Sequence, residues 1–201
     1  MDRGEARLSG DADFARLVSL ACHDLRTPLA TVHGFARTLA NGGQLEPPND
    51  RYVEMIEAAS AQLAELLDEL SLAARIADGR YDPVLRAADT LELAQAAAAR
   101  LGADRVKVSG TGAAIETDPV HLERGIAALA QSALRHGGFD EVAIEVAGTE
   151  LRISPVTPAS APVVLGQDLR DLGAAVAARL VARLGGSLAV EGSTLTIRTA
   201  V

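Results

Sequence analysis

The sequence is short of several things, and each shortage removes a class of protein. A single cysteine rules out an internal disulfide, and Cys22 reads as a small apolar group near a helix core. Aromatic residues are 2% of the chain and tryptophan is absent, so a core must be built from Leu, Val, Ile and Ala. No apolar stretch is long enough for a signal peptide or a membrane span, and residues 1–12 read as a short polar segment. Basic residues number 19 against 27 acidic ones, for a formal net charge of −8, and no basic patch interrupts that balance, which argues against a nucleic-acid partner. A soluble cytoplasmic protein is the resulting expectation. What is plentiful is apolar: 48% hydrophobic residues over 201 positions suffice to pack one medium domain or two small ones.

The apolar residues Phe14, Val18, Ala21, Leu25, Leu29, Val32 and Leu39 recur at steps of three and four, the mark of a helix burying one stripe. His23 is two residues from both Ala21 and Leu25, so it projects away from the middle of that stripe, and Thr27, one turn on, shares its exposed face. Asp24 is close enough to orient one imidazole nitrogen, which leaves the other to attack an electrophilic phosphorus. Pro28 removes the amide that would bond the Asp24 carbonyl, so a bend or local loosening is expected beside His23.

The string His23-Asp24-Leu25-Arg26-Thr27-Pro28-Leu29 resembles the H-box of the dimerisation and phosphotransfer domain of two-component sensor histidine kinases. The resemblance implies that His23 is the phosphorylated residue, Asp24 its base, and Thr27 a residue for phosphatase chemistry, with Arg26 and Pro28 as matching support. Downstream, Asn41-Gly42-Gly43 reads as a stop, and Glu46 to Asp50 as a turn ending in an N-cap. A second helix follows with a heptad seam of Val53, Ile56, Ser60, Leu63, Leu67, Leu70 and Ala74, flanked by Tyr52, Met55, Ala59 and Leu66. A hairpin with that much apolar surface cannot bury itself alone, so a homodimer forming a four-helix bundle is expected over residues 13–79.

From residue 80 to 201 the pattern changes to short alternating strands at 106–108, 142–146, 151–153, 188–190 and 195–197. Helices read from near Thr90, from Pro119 with Asp118 as cap, and from about Asp168 to Leu184; Gly148-Thr149 and Gly192-Ser193 read as hairpin turns. The expected fold class is α+β: a helical hairpin, then an α/β sandwich with three helices on one face of a mixed sheet. This order resembles a histidine kinase core, whose second domain is the nucleotide-binding (GHKL) fold.

That second domain departs from an ATPase. Where the family's N-box has two asparagines one turn apart, Ala128 and Ser132 stand instead, although Arg135 keeps a positive charge. The segment after the strand at 151–153, from Ser154 to Val164, holds three prolines and no carboxylate or glycine, so it lacks the adenine-reading Asp and a flexible phosphate cradle. The later glycine motif is reduced to Asp171-Leu172-Gly173-Ala174. Ser132, Arg135 and Gly173 are therefore vestigial, no cofactor is expected to bind tightly, ATP is not expected, and Mg²⁺ is expected from a partner receiver domain. The chain resembles the dimeric ChpT-type histidine phosphotransferases, which implies a phosphorelay protein exchanging phosphate between His23 and response-regulator aspartates, with an upstream histidine kinase as a further partner. An ATP-dependent histidine kinase with a diverged nucleotide site is the first alternative, and a non-catalytic adaptor that docks regulators is the second.

Overall fold

The computed structural model describes residues 3–42, 45–102 and 104–200. The chain divides into two compact units, one ending at Tyr81 and the other beginning at Asp82.

The first unit is a hairpin of α1 (Arg3–Asn41) and α2 (Asn49–Ala77). Helix α1 starts ten residues before the pattern predicts, because the helix formers around Glu5, Ala6 and Leu8 extend it even without an amphipathic signal. It runs unbroken through Pro28. Its stop at Asn41 is as expected, while Gly43 lies outside the described residues. The expected cap at Asn49 or Asp50 is not made: Pro48 is the N-cap residue of α2 and no side chain caps it, the Asn49 N–H donating instead to the Glu46 carbonyl at 2.9 Å.

The single buried stripe expected on α1 is two faces. Cys22 and Ala36 are buried and Leu29 and His33 half-buried, whereas Ala21, Leu25, Val32 and Leu39 are open to solvent. The Phe14 side chain lies outside what is described. The α2 seam divides in the same way. Val53, Glu57, Ser60, Ala64, Leu67, Ser71 and Ala74 are the shielded row, and Ile56, Leu63 and Leu70 are exposed. The physical reason is size: two helices approach closely over small and polar side chains, as where His33 Nδ1 lies 3.0 Å from Ser60 Oγ. The bulky aliphatics Leu25, Val32 and Leu39 of α1, and Ile56, Leu63 and Leu70 of α2, each seven residues apart, make up the outer face.

The second unit contains α3 (Thr90–Leu101), α4 (Pro119–Gly137), a short α5 (Ala161–Val164) and α6 (Leu172–Arg183), with strands β1 (Arg86–Asp89), β2 (Val106–Gly112), β3 (Ala114–Thr117), β4 (Val142–Gly148), β5 (Glu150–Ser154), β6 (Ser187–Glu191) and β7 (Thr194–Arg198). Five strands form a mixed sheet in the order β2-β4-β5-β7-β6, in which β2 and β4 are parallel and the remaining pairs antiparallel. The alternation read in the sequence holds in space: Ile144, Leu151, Ile153, Leu195 and Ile197 are fully buried while Glu145 is exposed and Arg152 half-exposed. The helices meet this layer through alanine, with Ala94, Ala130, Ala133 and Ala174 completely buried, which is how a chain nearly without aromatics closes a core. At Gly110, φ is +105° and a Cβ would sit 2.0 Å from the Val146 carbonyl oxygen, so only glycine lets β2 lie against β4 there.

Three elements differ from expectation. β1 and β3 pair as a small antiparallel ribbon, too short and too weakly alternating to be read. Helix α6 starts at Leu172 with Asp171 as N-cap, because Asp168 instead accepts from the Arg170 backbone N–H in the preceding turn. The proline-rich segment expected to be loop contains α5.

Candidate functional site

Helix α1 brings His23, Asp24, Arg26 and Thr27 to one stretch of surface. His23 is about 200° around the axis from Leu25 and about 40° from Thr27, so His23 and Thr27 share a face turned away from the exposed aliphatic row. The His23 side chain is 76% exposed and its Nδ1 lies 3.1 Å from Asp24 Oδ1. An ionised carboxylate only accepts hydrogen bonds, so Nδ1 is the protonated nitrogen and the Nε2 lone pair is left facing solvent. That tautomer is the one a nucleophilic imidazole needs.

Around this pair the helix is adapted. The Thr31 hydroxyl donates to the Thr27 carbonyl at 3.1 Å, and Pro28 leaves the Asp24 carbonyl without its helical donor. Arg26 Nη2 donates to Asp68 Oδ1 of α2 at 2.7 Å, with both side chains about half exposed. Cys22, one turn before Arg26, is 1% exposed. Burial pushes its thiol above the ordinary value, the Arg26 guanidinium opposing and Asp68 reinforcing that shift. Asp68 was not singled out in the sequence; its pairing with Arg26 spans 42 residues and depends on the register of the hairpin, which no local pattern records.

In the second unit the sequence singled out Ala128, Ser132, Arg135 and Gly173. Ala128 is half-buried, and Ser132 is completely buried with a hydroxyl that has no hydrogen-bond partner among the described residues. Arg135 and His136, at the end of α4, both face Asp171, with His136 Nε2 at 3.1 Å and Arg135 Nη1 at 3.6 Å from its Oδ2. Asp171 Oδ1 accepts the Ala174 N–H at 3.1 Å, capping α6, and Gly173 lies in that first turn. Between β5 and α6 the chain folds on itself. The Thr157 and Ser160 backbone N–H groups each donate to the other residue's hydroxyl, at 3.0 and 3.1 Å. Val156, Ser160, Val163 and Val164 are buried, and α5 packs against both α4 and α6. Among the described residues, no three His, Cys, Asp or Glu side chains gather as a metal site, and no helix is long and apolar enough to cross a membrane.

Residues 15–79 match the His Kinase A (phospho-acceptor) domain family. The sensor histidine kinase TrcS of Mycobacterium tuberculosis is 32% identical over 74 residues, which are 36% of this chain and 14% of that protein. The structure of full-length ShkA in complex with AMPPNP superposes with a TM-score of 0.67 at 20% identity, covering 92% of this chain and 46% of that one. The Acinetobacter baumannii histidine kinase AdeS gives 0.56 at 18% identity, over 89% of this chain and 97% of that one. The chain therefore spans under half the length of ShkA and a small part of TrcS. Residues 15–79 are thus similar to a phospho-acceptor hairpin, and the two structures share the fold of the chain, a helical hairpin followed by an α/β sheet domain.

Proposed function

We propose that this protein is a two-component phosphorelay carrier: His23 takes a phosphoryl group from a response-regulator aspartate and returns it, without using ATP. The observation that carries the reading is the Nδ1 contact to Asp24, which presents Nε2 to solvent as a nucleophile. In the forward step the Nε2 lone pair forms a bond to phosphorus while the phosphorus–oxygen bond of the partner's aspartyl phosphate breaks, and the bonding pair returns to the partner's carboxylate. The imidazole gains positive charge as the bond forms, and Asp24 stabilises it through the Nδ1–H. Mg²⁺, held by the partner's acidic pocket, would neutralise the transferring group; the rest of this chain's contribution is position and shielding. Thr27, about 40° from His23, would orient a water that attacks the partner's aspartyl phosphate, a hydrolysis that releases inorganic phosphate and is separate from the transfer.

Doing without ATP is supported by donor chemistry. Ala128 offers no ligand, the Ser132 hydroxyl is sealed in the core, and Asp171 puts a carboxylate where a phosphate would need cations. The loop that would read adenine is filled by its own valines. The residues present do not fit a magnesium nucleotide. The exposed rows on α1 and α2 support a homodimeric four-helix bundle, since isolated apolar rows of this length call for a partner face. An ATP-dependent kinase is the second reading, favoured by the fold shared with AMPPNP-bound ShkA and by Asp24.

The test is to incubate the protein separately with labelled Mg-ATP and with a phosphorylated receiver domain, and to assay acid-labile label in wild type and His23→Ala. Label from the receiver, absent in His23→Ala, is expected. Label from ATP alone would establish the kinase, and label from neither across several receivers would leave a docking adaptor.

A further inference from the structure

The hairpin around His23 is sparing with cations. Between residues 18 and 36 of α1, and between 52 and 74 of α2, Arg26 is the one Lys or Arg. The same stretches carry Asp24, Glu54, Glu57, Glu65, Asp68 and Glu69. A phosphoryl group on His23 adds roughly −1.5 to −2 charges to a surface that is already acidic.

We propose that Arg26 is an exchangeable phosphoryl-binding residue, held by Asp68 while His23 is bare and turning to the phosphoryl oxygens once His23 carries the group. The inference rests on His23 being the phosphoryl carrier. Arg26 is three residues beyond His23, about 60° around the helix, within the separation at which side chains on one helix surface meet. Its present bond is easily traded: Arg26 and Asp68 are 47% and 49% exposed, and a half-exposed ion pair contributes little to stability. The planar guanidinium fork fits a phosphoryl group as well as a carboxylate, and the more highly charged anion attracts it more strongly. Asp68 thus holds the fork within one helical turn of His23 in sequence, on a partner other than Nε2, and phosphorylation frees the tie between α1 and α2 at the level of buried Cys22. The arrangement couples the chemical state of one side chain to the closeness of two helices.

The experiment uses the intact chain and a small donor, potassium phosphoramidate, so that no partner protein is needed. The ³¹P resonance lost in His23→Ala identifies phospho-His23, and its titration midpoint is followed in wild type, Arg26→Gln, Arg26→Lys, Asp68→Asn and the Arg26→Gln/Asp68→Asn double variant. A guanidinium on the phosphoryl oxygens favours the dianion, so the Arg26→Gln midpoint is expected about half a unit to one unit above wild type, with Arg26→Lys between them. Asp68→Asn is expected to lower the midpoint when Arg26 is present, and by less when it is absent. Labelling of Cys22 by a maleimide is expected to quicken on phosphorylation in wild type and to change less in Asp68→Asn, where the tie is already gone. Coincident midpoints in wild type and Arg26→Gln, or an equal effect of Asp68→Asn in both backgrounds, would overturn the proposal. Failure of exchange with receivers while the midpoints differ would sink the relay reading and leave Arg26 in this role.

Discussion

Asp171 receives three partners at once: the Ala174 N–H, the His136 imidazole and the Arg135 guanidinium. As a helix N-cap it satisfies a donor that α6 cannot satisfy itself, and it complements the positive end of the helix. Asp171→Ala should destabilise the second unit by about 1–2 kcal/mol, read as a lowered urea midpoint; Asp171→Asn, which can still cap, should lose less. Equal losses would show that the charge contacts matter more than the cap. On the outer face of the sheet, Glu150 is bonded by Arg198 at 2.8 Å and Arg152 at 3.0 Å. Arg198 first and Arg152 second hold its carboxyl below the ordinary value. Because the folded value is the lower one, this contribution is present at neutral pH and is lost as pH falls through the folded value. In Arg198→Gln, the Glu150 carboxyl followed by NMR should titrate closer to an unperturbed glutamate.

At the scale of elements, the hairpin buries Cys22, Ala36, Ser60, Leu72 and Ala74 and leaves Leu25, Val32, Leu39, Ile56, Leu63 and Leu70 exposed. Leu63, 52% exposed, sits in the middle of the outer row of α2. Leu63→Glu should convert a dimer to a monomer in sedimentation velocity, and an unchanged sedimentation coefficient would remove the outer row from the interface. The sequence pattern located both helices, and it located His23 and Thr27 on a solvent face, because three- and four-residue spacing and a contiguous motif are local information. It merged two faces into one stripe because residues about 100° apart both satisfy such spacing. The Asp118 cap of α4 was legible for the same local reason. The Arg26–Asp68 and His136–Asp171 pairs were not: each joins residues on different elements, 42 and 35 positions apart, and is fixed only when those elements pack.

At the scale of the molecule, the buried core cluster is drawn wholly from residues 93–197, within the second unit. A fragment of residues 82–201 should therefore fold alone, with a cooperative melt whose midpoint does not change with protein concentration, whereas the melt of residues 1–81 should move with concentration if its outer face is closed by a second copy. A broad, non-cooperative melt of the 82–201 fragment would show that its core is incomplete without the hairpin. The segment between β5 and α6 is held as part of that second unit's core. Thr157 and Ser160 are locked together by mutual bonds and the valines beyond them are sealed in the core, so a lone glycine or carboxylate placed there forfeits packing before it gains anything to grip. The segment is therefore part of the folded framework and not a tether, and its amides should exchange with solvent as slowly as those of the strands beside it.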